Sequence, residues 1–235
     1  MYSEATRAAL LEEATALFAE RGYSGTSLED VASASQVTRG AVYHHFASKQ
    51  ALFEAVLELQ EARVTAEVLA AAQSPDPWEA AMLALGAYLD HCCDPAYGRL
   101  VWLEGPAALG WHRWRDCERK YAYGLVERFI RDLVDGGYLD GKAFDSLVQF
   151  SFWMLGGAGL AVAEAPPLDK PRVRDEWGHL IGEAIRSLRI RYSGRPHTAG
   201  ARVNSMSSDC LTWELTSSAT VRDCRYASAL QGQAW

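Results

Sequence analysis

Three residues able to cap helices, Ser27, Thr38 and Ser48, follow Gly22 in quick succession and divide the chain into short helices rather than one long one. Before them, Leu10, Leu11, Ala14, Leu17 and Phe18 recur at helical spacing from Ser3 to Arg21, with Glu12, Glu13 and Glu20 on the other face. Gly22 ends that first helix. Ser27 with an acidic residue three positions on, Asp30, forms a reciprocal capping pair and starts a second helix over about Leu28 to Ala34. After the turn Ser35-Gln36-Val37, Thr38 caps a third helix running to His45. Ser48 caps a fourth, which starts at Lys49 and continues through Val56, Leu57, Val64 and Leu69 to about Gln73, where Ser74-Pro75-Asp76-Pro77 breaks the chain.

The second and third helices, joined by so short a turn, have the dimensions of a helix-turn-helix, whose second helix enters the major groove of DNA. Thr38 and Arg39 open the third helix, where side chains face base edges and backbone N–H groups face phosphate. Gly40 and Ala41 keep its surface small, and Tyr43, His44 and Lys49 offer a hydroxyl, an imidazole and an ammonium to the DNA backbone. Val37, Val42 and Phe46 anchor the helix to the core. The alternative is a structural helical hairpin, with Tyr43 and Phe46 as core aromatics and Lys49 as solvated surface; Phe46 is core under either reading.

Charge bears on this. The net charge of -7 excludes a molecule coated in positive potential, so nucleic-acid binding must come from a local patch. Between Asp30 and Glu54 there is no acidic residue, while Arg39, His44, His45 and Lys49 fall inside that window.

The run Gly25-Thr26-Ser27-Leu28-Glu29-Asp30-Val31-Ala32, followed by Val37-Thr38-Arg39-Gly40-Ala41-Val42-Tyr43-His44-His45-Phe46-Ala47-Ser48-Lys49-Gln50-Ala51-Leu52-Phe53, resembles the DNA-binding domain of TetR-family repressors. The resemblance implies an all-α fold in which a three-helix helix-turn-helix domain joins, by a long helix, a helical ligand-binding and dimerisation domain. It also implies DNA contacts at the positions of Thr26, Thr38, Arg39, Tyr43, His44 and Lys49, with Arg39 reading bases and the others meeting phosphates; Ser27 and Gly40 complete the expected set. One position departs from the family pattern. Gln36 stands where glycine is frequent, and a left-handed backbone there costs roughly 1 kcal/mol unless the turn changes locally.

The remainder reads as helices over about Trp78 to His91, Tyr97 to Leu103, Trp111 to Asp135, Ala143 to Glu164 and Arg172 to Tyr192, punctuated by Gly136-Gly137 and Pro166-Pro167. Expected domains are 1–50 for DNA binding, 51–192 for ligand binding and dimerisation, and a disordered extension over 193–235, where periodicity stops. The helix ending at Glu164 is apolar almost all round from Phe150. Its apolar run to Ala163 is shorter than the roughly 20 residues of a membrane span, so a buried helix covered by a partner subunit is expected, Gly156, Gly157 and Gly159 permitting close approach. Tyr88, Trp102, Trp111, Trp114, Tyr121, Phe129 and Trp153 are numerous enough to line a largely apolar cavity with polar handles. The stretch Trp102 to Trp111 resembles a connection in one subgroup of TetR ligand domains.

Five cysteines (Cys92, Cys93, Cys117, Cys210 and Cys224) show no zinc spacing and suggest reduced thiols; a thiol-redox sensor is the second functional reading. His112, Asp116 and Glu118 lie close in sequence, but without a nucleophile motif or phosphate loop they read as a solvated helix face rather than an active site. Glu4, Glu12 and Glu13 interrupt the first apolar positions, so no export signal is expected and the protein is placed in the cytoplasm. The reading is therefore a non-enzymatic homodimeric repressor without cofactor or metal, released from a palindromic double-stranded operator by a small-molecule effector and having no membrane partner.

Overall fold

The second to sixth helices in the structure start at residues whose side chains cap them. The computed structural model describes residues 2–189; the 193–235 extension, with Cys210 and Cys224, lies outside them. Helix α1 (Tyr2–Arg21) stops at Gly22, whose φ of 76° suits glycine. Helix α2 (Leu28–Ala34) begins with Ser27 and Asp30 each accepting from the other's backbone amide, at 3.1 and 2.8 Å. Hydrogen bonds from the Ser27 side chain and amide hold the Asp30 carboxyl below the usual carboxylate range. The Thr38 hydroxyl accepts from Ala41 N at 3.2 Å to start α3 (Arg39–His45), and Ser48 caps α4 (Lys49–Ala71) in the same way. The turn between α2 and α3 makes no local change to spare Gln36, which sits in the left-handed region at φ 55°.

Beyond the proline break, Asp76 caps α5 (Pro77–Cys93). A single turn, α6 (Pro95–Tyr97), leads into a π-helical stretch, π1 (Gly98–Glu104), and then α7 (Gly105–Leu109). The helix expected over Trp111 to Asp135 divides into α8 (Trp111–Glu118), a second π stretch, π2 (Arg119–Tyr123), and α9 (Gly124–Asp135). Helices α10 (Phe144–Glu164) and α11 (Lys170–Ser187) follow, the latter ending short of the expected Tyr192. Among the described residues there is no strand, and the fold is all-α.

Two apolar cores hold these helices. The first joins the DNA-binding helices to α4, π1 and α8 through Phe18, Phe53, Leu57, Leu100 and Trp114, with Phe18 and Phe53 edge to face at 5.0 Å. The second packs α5, α9, α10 and α11 through Leu89, Ile130, Leu133, Phe152 and Ile181. Helix α10 is longer than its apolar run and has the length and composition to cross a bilayer. Val148, Phe152, Ala158 and Val162 are nevertheless buried against neighbouring helices. Its other side, with Phe150, Trp153 and Leu160, is exposed, as is Leu180 on α11.

Candidate functional site

Helix α3 is held from beneath and open from above. Val42, the buried residue of the helix, and Phe46, just after it, pack into the first core, while Thr38, Arg39, Gly40, Tyr43 and His44 all face solvent. Tyr43 is 44% exposed, so the hairpin reading that made it a core aromatic fails. A side chain at Gly40 would meet nothing closer than Thr38 Oγ1 at 3.9 Å, so no internal packing requires glycine there. Any demand for a small residue at this position comes from outside the molecule.

Arg39 is not idle on this face. Its guanidinium pairs with Glu29 of α2 at 2.7 Å and donates to the Tyr43 hydroxyl at 3.3 Å. Other residues of the expected set sit differently. Thr26 is buried, its hydroxyl shared between the carbonyls of Leu17 and Gly22 at 3.2 and 3.0 Å, so its side chain fastens the loop after α1. Ser27 is the α2 cap. Lys49 donates from Nζ to Tyr23 O at 2.8 Å and lies 4.4 Å from that ring's centre, held back at the start of α4.

A cavity of about 120 Å³ lies at the seam of the two cores, walled by residues of both. Tyr88, Trp102, Trp114, Phe129 and Trp153, expected from the sequence, line it. Trp111 and Tyr121 do not: Trp111 is half exposed and stacks on Trp153 at 6.4 Å, and Tyr121 packs against the first core under Lys120. Three polar residues not expected there from the sequence, Arg115, Glu118 and Ser151, also border the cavity. Glu118 corrects the reading of a solvated face: it is only 5% exposed, whereas His112 and Asp116 point to solvent, so the three do not converge.

Helix α8 faces two ways. Arg115 and Glu118 look to the cavity, while Arg113 and, just beyond, Lys120 form ion pairs with Glu54 and Glu58 of α4. Gln50 of α4 donates to Ala108 O at 3.0 Å, and the Tyr97 hydroxyl donates to Glu61 Oε1 at 2.8 Å in the interior. Burial pushes the Glu61 carboxyl up to about 7. Burial, reinforced by Glu61, raises Glu118 well above the usual range.

Burial also raises the thiol of Cys117 to about 12 and pushes Cys92 and Cys93 upward. That is the reverse of the lowered pKa that a reactive thiolate needs, and it leaves the redox reading without support. Among the described residues no cluster of histidine, cysteine or carboxylate side chains could hold a metal.

Comparison with known proteins agrees with this geometry over two stretches of the chain. Residues 10–56 match the family of bacterial regulatory proteins of the tetR family, and residues 78–185 match the tetracyclin repressor-like C-terminal domain. The transposon Tn10 TetC protein of Escherichia coli is 28% identical over 143 residues, covering 61% of this chain and 72% of its own. The HTH-type transcriptional regulator AcrR of Shigella flexneri is 44% identical over 62 residues, 26% of this chain and 29% of its own length. The crystal structure of a TetR-family transcriptional regulator from Pectobacterium atrosepticum superposes with a TM-score of 0.71 at 29% identity, covering 81% of this chain and 97% of that one.

Proposed function

The chain belongs to the TetR family of bacterial regulatory proteins, and from that premise we propose that it is a cytoplasmic homodimeric repressor, released from a palindromic operator when a small molecule enters the cavity between its two cores. The observation that carries the DNA-binding part is the outward face of α3, where Thr38, Arg39, Gly40, Tyr43 and His44 are exposed together and Gly40 answers to no internal constraint. A helix with a flat polar face and an arginine near its start fits the major groove.

Dimerisation is supported by the outer side of α10. Phe150, Trp153 and Leu160 recur at helical spacing along it, with Gly157 between them, and remain exposed beside Leu180 of α11. A second copy related by a two-fold axis covers such a stripe with the same stripe. The two α3 helices then face successive major grooves roughly 34 Å apart, a spacing that tolerates little change.

The switch runs through α8. A molecule in the cavity bears on Arg115 and Glu118, and the same helix, with the start of π2, grips α4 through Arg113 and Lys120. Helix α4 packs against α1 and leads directly from α3, so displacing it turns the recognition helix. By linkage, operator DNA then weakens effector binding by the same factor. Selection of bound fragments from a random duplex pool tests the proposal. The expected product is a two-fold symmetric site whose complex with the dimer is lost on adding effector; recovery of no preferred sequence would overturn it.

A further inference from the structure

The polar groups of the cavity narrow the class of molecule it takes; this inference rests on reading the cavity as the effector site. Tyr88 and Trp114, though on its wall, already donate to the carbonyls of Leu155 and Val101 at 3.1 and 2.8 Å. Three others have no such partner. Trp102 is 7% exposed and its Nε1 is buried without an acceptor, and Arg115 Nε is buried in the same condition. The Glu118 side chain, 5% exposed, makes no hydrogen bond or ion pair among the described residues. Arg115 and Glu118 stand three residues apart on α8, hence side by side on one face.

These groups have a common sense. Indole N–H and guanidinium N–H can only donate, and the guanidinium brings a positive charge. Burial and the neighbouring Glu61 raise the Glu118 carboxyl well above the usual range and so favour its protonated form, which has one hydrogen to give and an oxygen left to accept. The Ser151 hydroxyl, also on the wall, can donate or accept, so the surplus on the wall is of donors. A wholly apolar guest would leave buried donors unsatisfied, at about 1–3 kcal/mol for each. A cationic guest would meet the charge of Arg115, whose only ion-pair partner among the described residues is the solvent-facing Asp116, 3.9 Å away. The rest of the wall, including Phe129, Phe152 and Trp114, suits the faces of a flat ring.

We propose that the effector is a one-ring aromatic carboxylate, its ring held between the aromatic walls and its oxygens accepting from Arg115 and Trp102 beside the Glu118 carboxyl. Arg115 supplies the charge complement, and the indole of Trp102 places the ligand against π1.

Titration of the full-length protein with benzoate, benzylamine and toluene, read by quenching of the cavity tryptophans near neutral pH, tests this. Benzoate is expected to bind at least tenfold tighter than the other two. Arg115→Gln should erase that margin while leaving toluene binding in place, Arg115→Lys should keep part of it, and Glu118→Gln, which preserves shape and a donor, should leave it standing. Equal binding of toluene and benzoate would overturn the acid class and leave the effector cavity intact. Tightest binding by benzylamine, lost in Glu118→Gln, would overturn it in favour of a cation site. If none of the three bound to protein that still recognised operator, the effector reading of this cavity would fall with it.

Discussion

The Glu104 carboxylate accepts a hydrogen bond from the Tyr23 amide at 3.1 Å, joining the end of π1 to the loop after α1 across 81 positions of sequence. From the other end of π1, Arg99 donates to the carbonyls of Ala19 and Glu20, both at 3.0 Å, and so occupies the C-terminal end of α1. Gly22 lies between the two grips. A side chain there would come within 2.5 Å of Glu104 Oε1, so glycine serves the close approach as well as its positive φ. Trp102, which lines the cavity, stands in the middle of this same π stretch, giving the ligand a second hold on the DNA-binding helices beside α8.

Cutting that hold should uncouple the switch. In Glu104→Ala the unliganded protein is expected to keep its operator affinity, while the fall in affinity caused by effector shrinks by about fivefold or more, a typical allosteric factor. Anisotropy titrations of labelled operator with and without effector check this; an unchanged ratio would mean that α8 alone carries the signal.

The Arg39–Glu29 pair must open before Arg39 reads a base. The pair is exposed and therefore weak, so Glu29→Gln should tighten operator binding by up to about fivefold. The gain should shrink as salt rises, because both the pair and the phosphate contacts are screened. Weaker binding by Glu29→Gln would show that Glu29 orients Arg39 rather than restraining it.

Gly40→Leu separates folding from DNA recognition. A Cβ there meets nothing closer than Thr38 Oγ1 at 3.9 Å on a face open to solvent, and leucine favours helix over glycine by roughly 0.5–1 kcal/mol, so the melting temperature should hold or rise. Operator binding should be lost, by electrophoretic mobility shift, since the added bulk stands between α3 and the groove.

The left-handed turn at Gln36 makes the opposite case. Replacing it with glycine relieves the strain of φ 55° and should raise stability by about 0.5–1 kcal/mol in a denaturant melt, with DNA binding unchanged.

Stability should also carry a mark of the buried carboxyls. Glu61 holds its proton up to about pH 7 in the folded chain but only to about 4.5 when unfolded, so the folded state binds more protons between those values. Its contribution is complete below the unfolded value and is lost as pH rises through the folded one. The difference corresponds to about 3 kcal/mol at most, and Glu118 acts in the same direction. Melting of the wild type should therefore decline from pH 5 to 8 relative to Glu61→Gln; parallel curves would contradict it.

The DNA-binding helices were legible because their signals are local. Ser27 and Asp30, Thr38 and Ser48 each act within three residues, and the structure starts α2, α3 and α4 directly after those caps. The roles of Thr26 and Lys49 were less so, since a buried hydroxyl and an ammonium folded back on Tyr23 depend on where the α1–α2 loop packs. Around the cavity the difficulty is one of phase. A π turn admits an extra residue and rotates everything beyond it, so helical spacing carried through Gly98–Glu104 or Arg119–Tyr123 assigns the wrong faces. Trp111 and Tyr121 accordingly fall off the wall, and Glu118, in a run of charged residues that reads as surface, lies inside. Only the contacts of α8 with α4 and π1 reveal that.

The claim on which the rest depends is that α3 reads sequence through Arg39 and Tyr43 in a symmetric complex. The most direct measurement is the affinity of wild type and of the Arg39→Ala, Tyr43→Phe double variant for the selected operator and for a scrambled duplex, at the same moderate salt. The account predicts that the wild type prefers operator by about a thousandfold or more and that the variant loses most of this preference while keeping its weak, sequence-independent binding. A preference that survives both substitutions would contradict it.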